Sequence, residues 1–163
     1  MGVVEELVRA REAYDRQKWV AAYDGLSELS PENLTADDFA RLAMVAFLRG
    51  RRNDCIQALQ RAHAAHLDAG DVQGAVRSAF WLGKALLEGG EQAVAGGWVA
   101  RARRLLDDLD EDVVERGYVL VLMFFQRLFS GDFEEAMILA GRVEEYGDRF
   151  AEANLLGLGR CCW

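Results

Sequence analysis

Two histidines are the residues in this sequence whose spacing best suits chemistry. His63 and His66 are three residues apart, and Asp68 follows closely. On a helix this spacing places both imidazoles on one face. Zinc sites in proteins take three or four protein ligands, and the sequence offers no evident third ligand at a fixed spacing. We therefore expect the two histidines to pack at the surface or between repeats, and we predict no metal site and no cofactor.

The three cysteines suggest no metal or redox centre. Cys161 and Cys162 are adjacent, so on a helix their side chains diverge by about 100 degrees and cannot easily serve one ion. Cys55 lies on a predicted helix face of small residues, where we expect a buried packing role. An odd number of cysteines does not suit a disulfide framework and favours a reduced compartment. The role of the Cys161–Cys162 terminus stays open.

Acid–base, nucleophilic and phosphate-binding motifs are also weak. No Ser, Cys or Lys stands beside a convincing base. The stretch "GGEQAVAGG" lacks the Lys-Ser or Lys-Thr of a phosphate loop. Gly96 and Gly97 in it fall within a predicted helix, which indicates close approach of a neighbouring helix or a bend. Carboxylate pairs occur only where helix caps and solubilising charges are expected: Asp37 and Asp38, Asp107 and Asp108, Glu134 and Glu135. We predict that the protein is not an enzyme.

Composition and charge exclude further classes of protein. The 163 residues are 52% hydrophobic with a single Pro, which is typical of one folded domain, and helix-forming residues favour an all-α fold. A net charge of -8 disfavours nucleic-acid binding, so we expect the arginines of "RGRR" and "ARARR" to form solvated, salt-bridged faces. No unbroken apolar stretch is long enough to span a membrane, and we expect a soluble, cytoplasmic protein.

Four similar turns organise the chain. They are predicted at Gln17, Gly50, Gly90 and Gly131. In the clearest copy, Gly131 can end one helix in the left-handed conformation, while Asp132 and Glu135 form a capping-box pattern for the next. Five, nine and twelve residues after each turn, small or apolar side chains recur on one helical face: Ala22, Leu26 and Leu29; Cys55, Leu59 and Ala62; Ala95, Val99 and Ala102; Ala136, Ala140 and Val143.

The turns divide the chain into two-helix units. Neither helix of a unit can bury its apolar stripe without neighbours, which is typical of stacked repeats. We predict a single domain over residues 1–163, with helical hairpins at about 3–30, 34–68, 71–108 and 111–148 and a terminal helix at 151–163.

The turn and helix residues resemble the tetratricopeptide repeat family. The pattern is carried by Trp81, Leu82 and Gly83 on one first helix, by the turn glycines, and by the Ala-x3-apolar-x2-Ala spacing on the second helices. The strings "AFWLGKALL", "GGWVARARRLLDD" and "RAHAAHLDAGD" are similar to the helical-repeat region of LuxR-family transcriptional regulators. The resemblance implies a right-handed α-solenoid with a regulatory role, without the helix-turn-helix that reads DNA in such regulators.

The first helices supply the candidate binding surface. In the family that the sequence resembles, these helices line the concave side of the superhelix. Large exposed apolar patches usually mark binding sites. We expect this predicted groove to bind a protein or peptide segment, or a small apolar ligand, with self-association as a homodimer through the groove or the terminal helix as the alternative. Its alternative structural role is plain core packing. The predicted groove comprises Met44, Phe47, Arg77, Phe80, Lys84, Leu87, Tyr118, Val121, Phe125 and Phe129.

Overall fold

A computed structural model describes residues 2–161. Every regular element in this range is helical, so the all-α class expected from composition is confirmed. The helices are α1 (Val3–Asp15), α2 (Trp19–Glu28), a short 3-10 turn (Pro31–Asn33), α3 (Ala36–Leu48), α4 (Arg52–Asp68), α5 (Val72–Glu88), α6 (Gln92–Asp107), α7 (Glu115–Ser130), α8 (Phe133–Phe150) and α9 (Ala153–Cys161). Within the described range, none of them has the length and apolar character needed to cross a membrane.

All four predicted turns are present, each with one residue in the left-handed conformation. Gly50, Gly90 and Gly131 have φ angles of 68°, 79° and 82°. Gln17 adopts φ 58° at the equivalent place in the first turn, although it carries a side chain. The left-handed residue reverses the chain direction within two or three residues, so the next helix can start at once.

Two further left-handed turns were not predicted. Gly70 (φ 73°) joins α4 to α5, and Ala151 (φ 52°) joins α8 to α9. The connections at α2–α3 and α6–α7 are the longer ones, and among the helix connections of residues 2–161 only these lack a left-handed residue.

The predicted packing faces of the second helices are buried. All twelve side chains recurring five, nine and twelve residues after the turns are at most 8% exposed. Offsets of four and three residues keep them on one stripe of a 3.6-residue helix, so each stripe is covered by neighbouring helices. Burial of Cys55 among them agrees with the expected packing role.

The predicted capping box of α8 is only half formed. The Asp132 carboxylate accepts from the Glu135 backbone N–H at 3.3 Å, as expected. The Asp132 N–H, however, donates to the Arg127 carbonyl at 2.9 Å, which closes the turn of the preceding helix. The complete capping box lies at the start of α3, where Thr35 and Asp38 bond each other's backbone N–H groups. Competition from the left-handed turn explains the difference, because that turn uses the donor that Glu135 would have engaged.

The chain divides into two compact units, Met1–Ser78 and Ala79–Trp163, with the boundary inside α5. The core of the first unit includes a cluster of Ala13, Ala22 and Val45. Partly buried aromatic and apolar side chains surround it: Tyr14, Trp19, Tyr23 and Leu42.

Glycines permit close helix packing in the second unit. A Cβ at Gly83 would lie 2.8 Å from Leu122 of α7, and one at Gly117 would lie 2.7 Å from Leu155 of α9. Leu122 and Leu155 are fully buried. Helix α9 therefore packs its apolar side against the preceding helices of this unit.

Candidate functional site

The ten residues of the predicted groove differ in how deeply they are buried. In the first unit Met44, Phe47 and Arg77 are exposed. In the second unit Phe129 is exposed, Lys84, Tyr118 and Phe125 are half-buried, and Phe80, Leu87 and Val121 are buried. Lys84 also forms an ion pair with Glu88 one turn later on α5.

Several groove residues of the second unit take part in packing. The Phe80 and Tyr118 rings meet edge to face with centroids 5.1 Å apart. The Tyr118 hydroxyl donates to Glu152 Oε1 at 3.0 Å, and burial is the main cause that raises the pKa of this phenol. These contacts hold α7 against its neighbours.

Val121 and Phe125 face α8 and α9 within this unit. They line a gap of about 10 Å³, which is no more than one water molecule needs. The other lining residues are Phe124, Ala140, Val143, Leu158 and Gly159. A gap of this size cannot hold an organic ligand. A partner would therefore contact the exposed residues of the predicted groove.

An exposed apolar cluster of the first unit lies on α3. Met44, Phe47 and Leu48 leave 39%, 59% and 50% of their surface accessible. Their spacing of three and four residues places them on one side of the helix. We call these three residues the α3 face. Sequence reasoning found Met44 and Phe47 but missed Leu48, which is the last residue of the helix.

Two arginines are oriented in the turn that follows the α3 face. The guanidinium carbons of Arg49 and Arg51 lie 5.1 and 5.9 Å from the centroid of the Tyr23 ring. Arg49 also pairs with Asp24 at 3.6 Å. The Tyr23 hydroxyl donates to Asp54 at 2.6 Å, and this hydrogen bond is the main cause that raises the phenol pKa. The ring therefore serves as a neutral platform for two cations beside the α3 face.

A second exposed surface lies on α6, where the sequence predicted a solvated arginine face but no binding surface. Val94 is 53% exposed, and the Arg101 guanidinium lies 4.9 Å from the Trp98 ring centroid. Among the ion pairs described for residues 2–161, none involves Arg101, Arg103 or Arg104. These arginines are exposed, as expected for a solvated face, but no salt bridge is described for them.

The two glycines of α6 have different surroundings. A Cβ at Gly96 would approach the Gln126 amide at 3.4 Å, whereas one at Gly97 would meet nothing within 4 Å. A contact of 3.4 Å with the end of a flexible side chain is close to an ordinary van der Waals distance, so it does not by itself require glycine at position 96. Close helix packing does not account for Gly97 either, which is exposed.

The histidines join α4 to the start of α5. His63 Nδ1 lies 2.8 Å from the Ala75 carbonyl, and His66 Nδ1 lies 3.0 Å from the Asp71 carboxylate. Asp71 also accepts from the Gly74 backbone N–H at 2.9 Å and so caps α5. Both rings are buried. Within residues 2–161, no group of three or more His, Cys, Asp or Glu is arranged to hold a metal ion.

The cysteines have no described reactive setting. Burial is the main cause that raises the pKa of the Cys55 thiol, and the Arg52 charge only partly offsets it. A thiol that is buried and protonated is a poor nucleophile. The side chains of Cys161 and Cys162 lie outside the described residues.

The strongest charge cluster surrounds the buried Asp38 of α3. Arg11 of α1 donates through Nε and Nη2 to its two oxygens at 2.8 and 2.7 Å, and Arg41 donates at 3.1 Å. Thr35 donates its backbone N–H and hydroxyl. Burial alone would raise the pKa of Asp38, but the hydrogen bonds from Arg11 and Thr35 outweigh it and lower the pKa to about 2. A carboxylate saturated in this way links two helices and is not available as a catalytic base.

Comparisons with known proteins found no matching family model, no similar curated protein and no similar solved structure. Function is therefore inferred from the geometry of the chain.

Proposed function

We propose that this chain is a non-enzymatic interaction module, built as a right-handed α-solenoid of tetratricopeptide-like hairpins. The repeated helix, left-handed turn and helix, with a buried small-residue stripe after each predicted turn, support this architecture. Because the sequence resembles the repeat regions of LuxR-family regulators, the proposed role is regulatory: the protein senses a partner in the cytoplasm and passes that signal on.

The observation that carries the proposal is the α3 face. Three apolar side chains exposed side by side, including an aromatic one, form the kind of patch that can mark a protein-binding site. Aromatic anchors surrounded by less critical contacts commonly dominate the binding energy of such sites, and Phe47 is the most exposed member.

The neighbouring arginines define the chemistry of the partner. Arg49 and Arg51, held over Tyr23, can donate hydrogen bonds to a carboxylate next to the apolar contact. The partner is therefore a peptide segment that combines an apolar side chain with an acidic one.

Substitution of Phe47 tests this function. Phe47→Asp removes the anchor and places a like charge against an acidic partner, so capture of a crosslinked partner from the source cells should fall at least about tenfold. The captured protein is identified by mass spectrometry, and its purified form is then titrated by calorimetry. Phe47 is exposed, so this substitution should leave the helical circular dichroism signal unchanged.

Val4→Asp is the matched control. Val4 lies at the start of α1 in the same unit and is more exposed than Phe47. It should capture the same partner as the wild type. Equal capture by Phe47→Asp and wild type would contradict the proposed function.

A further inference from the structure

Exposed faces on α6 and α8 carry opposite charges. The α6 face comprises Val94, Gly97, Trp98, Arg101 and Arg104, each of which lies three or four positions from another member of the face. The α8 face comprises Glu134, Ile138, Gly141 and Glu145, again at spacings of four and three. Both faces belong to the second unit, and each combines apolar and charged side chains.

The apolar parts of these faces are comparably open. Val94 is 53% exposed and Ile138 is 54% exposed within the chain as a whole. The described part of the chain therefore leaves these two side chains open, whereas Trp98 and Gly141 on the same faces are half-buried. A branched apolar side chain on a helix surface gains free energy when a partner removes it from water.

The described ion pairs do not engage the charges on the two faces, although Arg101 lies over the Trp98 ring of its own face. No ion pair described within residues 2–161 involves Arg101 or Arg104 of α6, or Glu134 or Glu145 of α8. The arginines therefore form a local positive area on a chain whose net charge is -8. Such a chain repels a second copy unless opposite charges meet locally.

The third observation concerns the empty space beside Gly97 on the α6 face. Glycine lowers helix stability relative to alanine, and neighbouring atoms within the chain leave its Cβ position empty. Because glycine has no side chain, a side chain from another helix can approach the α6 backbone closely between Val94 and Arg101. This gives the glycine a use that packing within the chain does not supply.

We propose that the α6 face binds the α8 face of a second copy of this chain, with Ile138 seated near Gly97 and the arginines of α6 paired with Glu134 and Glu145. Acidic residues follow the α6 arginines directly, at Asp107 and Asp108, and would repel a phosphate backbone. A protein helix with alternating apolar and acidic residues fits better than a nucleic acid. The contact is heterologous, since two different faces meet.

Charge-reversed variants test this association by sedimentation velocity across micromolar to millimolar concentrations. The wild type should show a mass that rises with concentration. Arg101→Glu with Arg104→Glu makes both faces acidic, and Glu134→Lys with Glu145→Lys makes both basic, so each variant alone should be monomeric. An equal mixture of the two variants should associate again, because each then offers the face that the other lacks.

Gly97→Gln separates the interface from simple stability. Glutamine is a better helix former than glycine, so this variant should melt at a higher temperature while its self-association weakens at least tenfold. Gly157→Gln is the matched control, since Gly157 also lies in a helix with nothing within 4 Å of its Cβ position. It should raise the melting temperature and leave association unchanged.

Any one of the following results would overturn the inference: a wild type that is monomeric throughout, a mixture of reversed variants that stays monomeric, a Gly97→Gln variant that associates like the wild type, or a monomer that binds a duplex DNA or RNA probe through the α6 arginines. Phe47→Asp should leave self-association intact. If it abolishes self-association, the second copy occupies the α3 face and this inference is wrong. Partner capture through the α3 face can therefore fail or succeed independently of the α6–α8 contact.

Discussion

At the scale of single residues, the Asp38 cluster shows how one buried charge is stabilised. Its side chain is fully buried, so without partners it would be strongly destabilising. Arg11 supplies two hydrogen bonds from another helix, and Arg41 and Thr35 supply the rest from α3 and its cap. The cluster thus fixes α1 against the start of α3.

Removing Arg11 should therefore weaken the fold. Arg11→Leu leaves Asp38 with its local partners only, and the free energy of unfolding at pH 7 should fall by about 1.5–3 kcal/mol, the range for hydrogen bonds to charged groups. The lower half of this range is favoured, because the Arg11 side chain is 36% exposed and partly screened by solvent. Urea denaturation measures the change.

Arg9→Leu provides the control for this prediction. Arg9 is exposed on the same helix and takes part in none of the ion pairs described for residues 2–161. Its substitution should change the free energy of unfolding by less than about 0.5 kcal/mol. A similar loss in both variants would mean that Arg11 acts through general surface charge and not through Asp38.

The sequence predicted half of this cluster. Asp37 and Asp38 were expected to cap a helix, and Asp38 does so together with Thr35. Arg11 lies 27 residues earlier in the chain, and no local pattern connects the two. Hydrogen bonds between distant elements depend on how helices pack, which spacing within one helix does not specify.

At the scale of the elements, the turns were the most predictable feature. Left-handed φ angles favour glycine, and glycines at 50, 90 and 131 mark their turns in the sequence. Gln17 could be placed only by comparison with these three. Ala151 carries no such signal, because alanine is typical of a helix interior.

Exchange of turn residues should therefore have opposite effects at two sites. Gln17→Gly relieves a left-handed conformation that costs an L-residue about 1–2 kcal/mol. Glycine also loses more backbone entropy on folding, which offsets part of this gain. The free energy of unfolding should therefore rise by up to about 1 kcal/mol. Gly131→Ala imposes the same conformation on a side chain and should lower stability by about 1–2 kcal/mol. Thermal denaturation followed by circular dichroism would show both changes.

Arg16→Gly separates strain relief from a general effect of glycine. Arg16 precedes Gln17 and has φ -88°, which any residue adopts. Glycine there gains no relief and should lower stability by a few tenths of a kcal/mol to about 1 kcal/mol. An increase in stability for Arg16→Gly as well would contradict the explanation by backbone strain.

Helix faces were predictable on the second helices and less so on the first. The second helices repeat small residues at fixed offsets, and a stripe of small residues can only be a packing surface. On the first helices, large apolar residues fit either role. Phe47 is exposed while Val121 is buried, and the difference depends on which neighbouring helices cover each residue.

At the scale of the whole molecule, composition predicted the all-helical class, and net charge sets the behaviour in acid. The chain has 27 acidic and 19 basic residues, excluding histidine, and an isoelectric point near 4.8. At that pH the repulsion between copies vanishes, and proteins are then least soluble. Because Asp38 has a pKa of about 2, it remains ionised and its cluster remains intact there.

Acid titration should therefore separate two events. Turbidity should be greatest near pH 4.8 while the helical circular dichroism signal stays native. The pKa of Asp38 is lowered from 3.8 to about 2 on folding, so the stability it contributes is present above pH 3.8 and is lost as the pH falls toward 2. At 1.36 kcal/mol per pKa unit, this group contributes about 2 kcal/mol to that loss.

Asp38→Asn isolates the second event from the first. The variant should be less stable at neutral pH, since the charged hydrogen bonds from Arg11 are weakened, but its stability should fall less steeply between pH 4 and pH 2. One carboxylate among 27 acidic residues barely alters the net charge, so the turbidity maximum should stay near pH 4.8. An acid profile as steep as that of the wild type would show that other carboxylates govern unfolding in this range. Loss of helical signal at the turbidity maximum itself would contradict the separation, because precipitation would then follow from unfolding and not from the vanishing net charge.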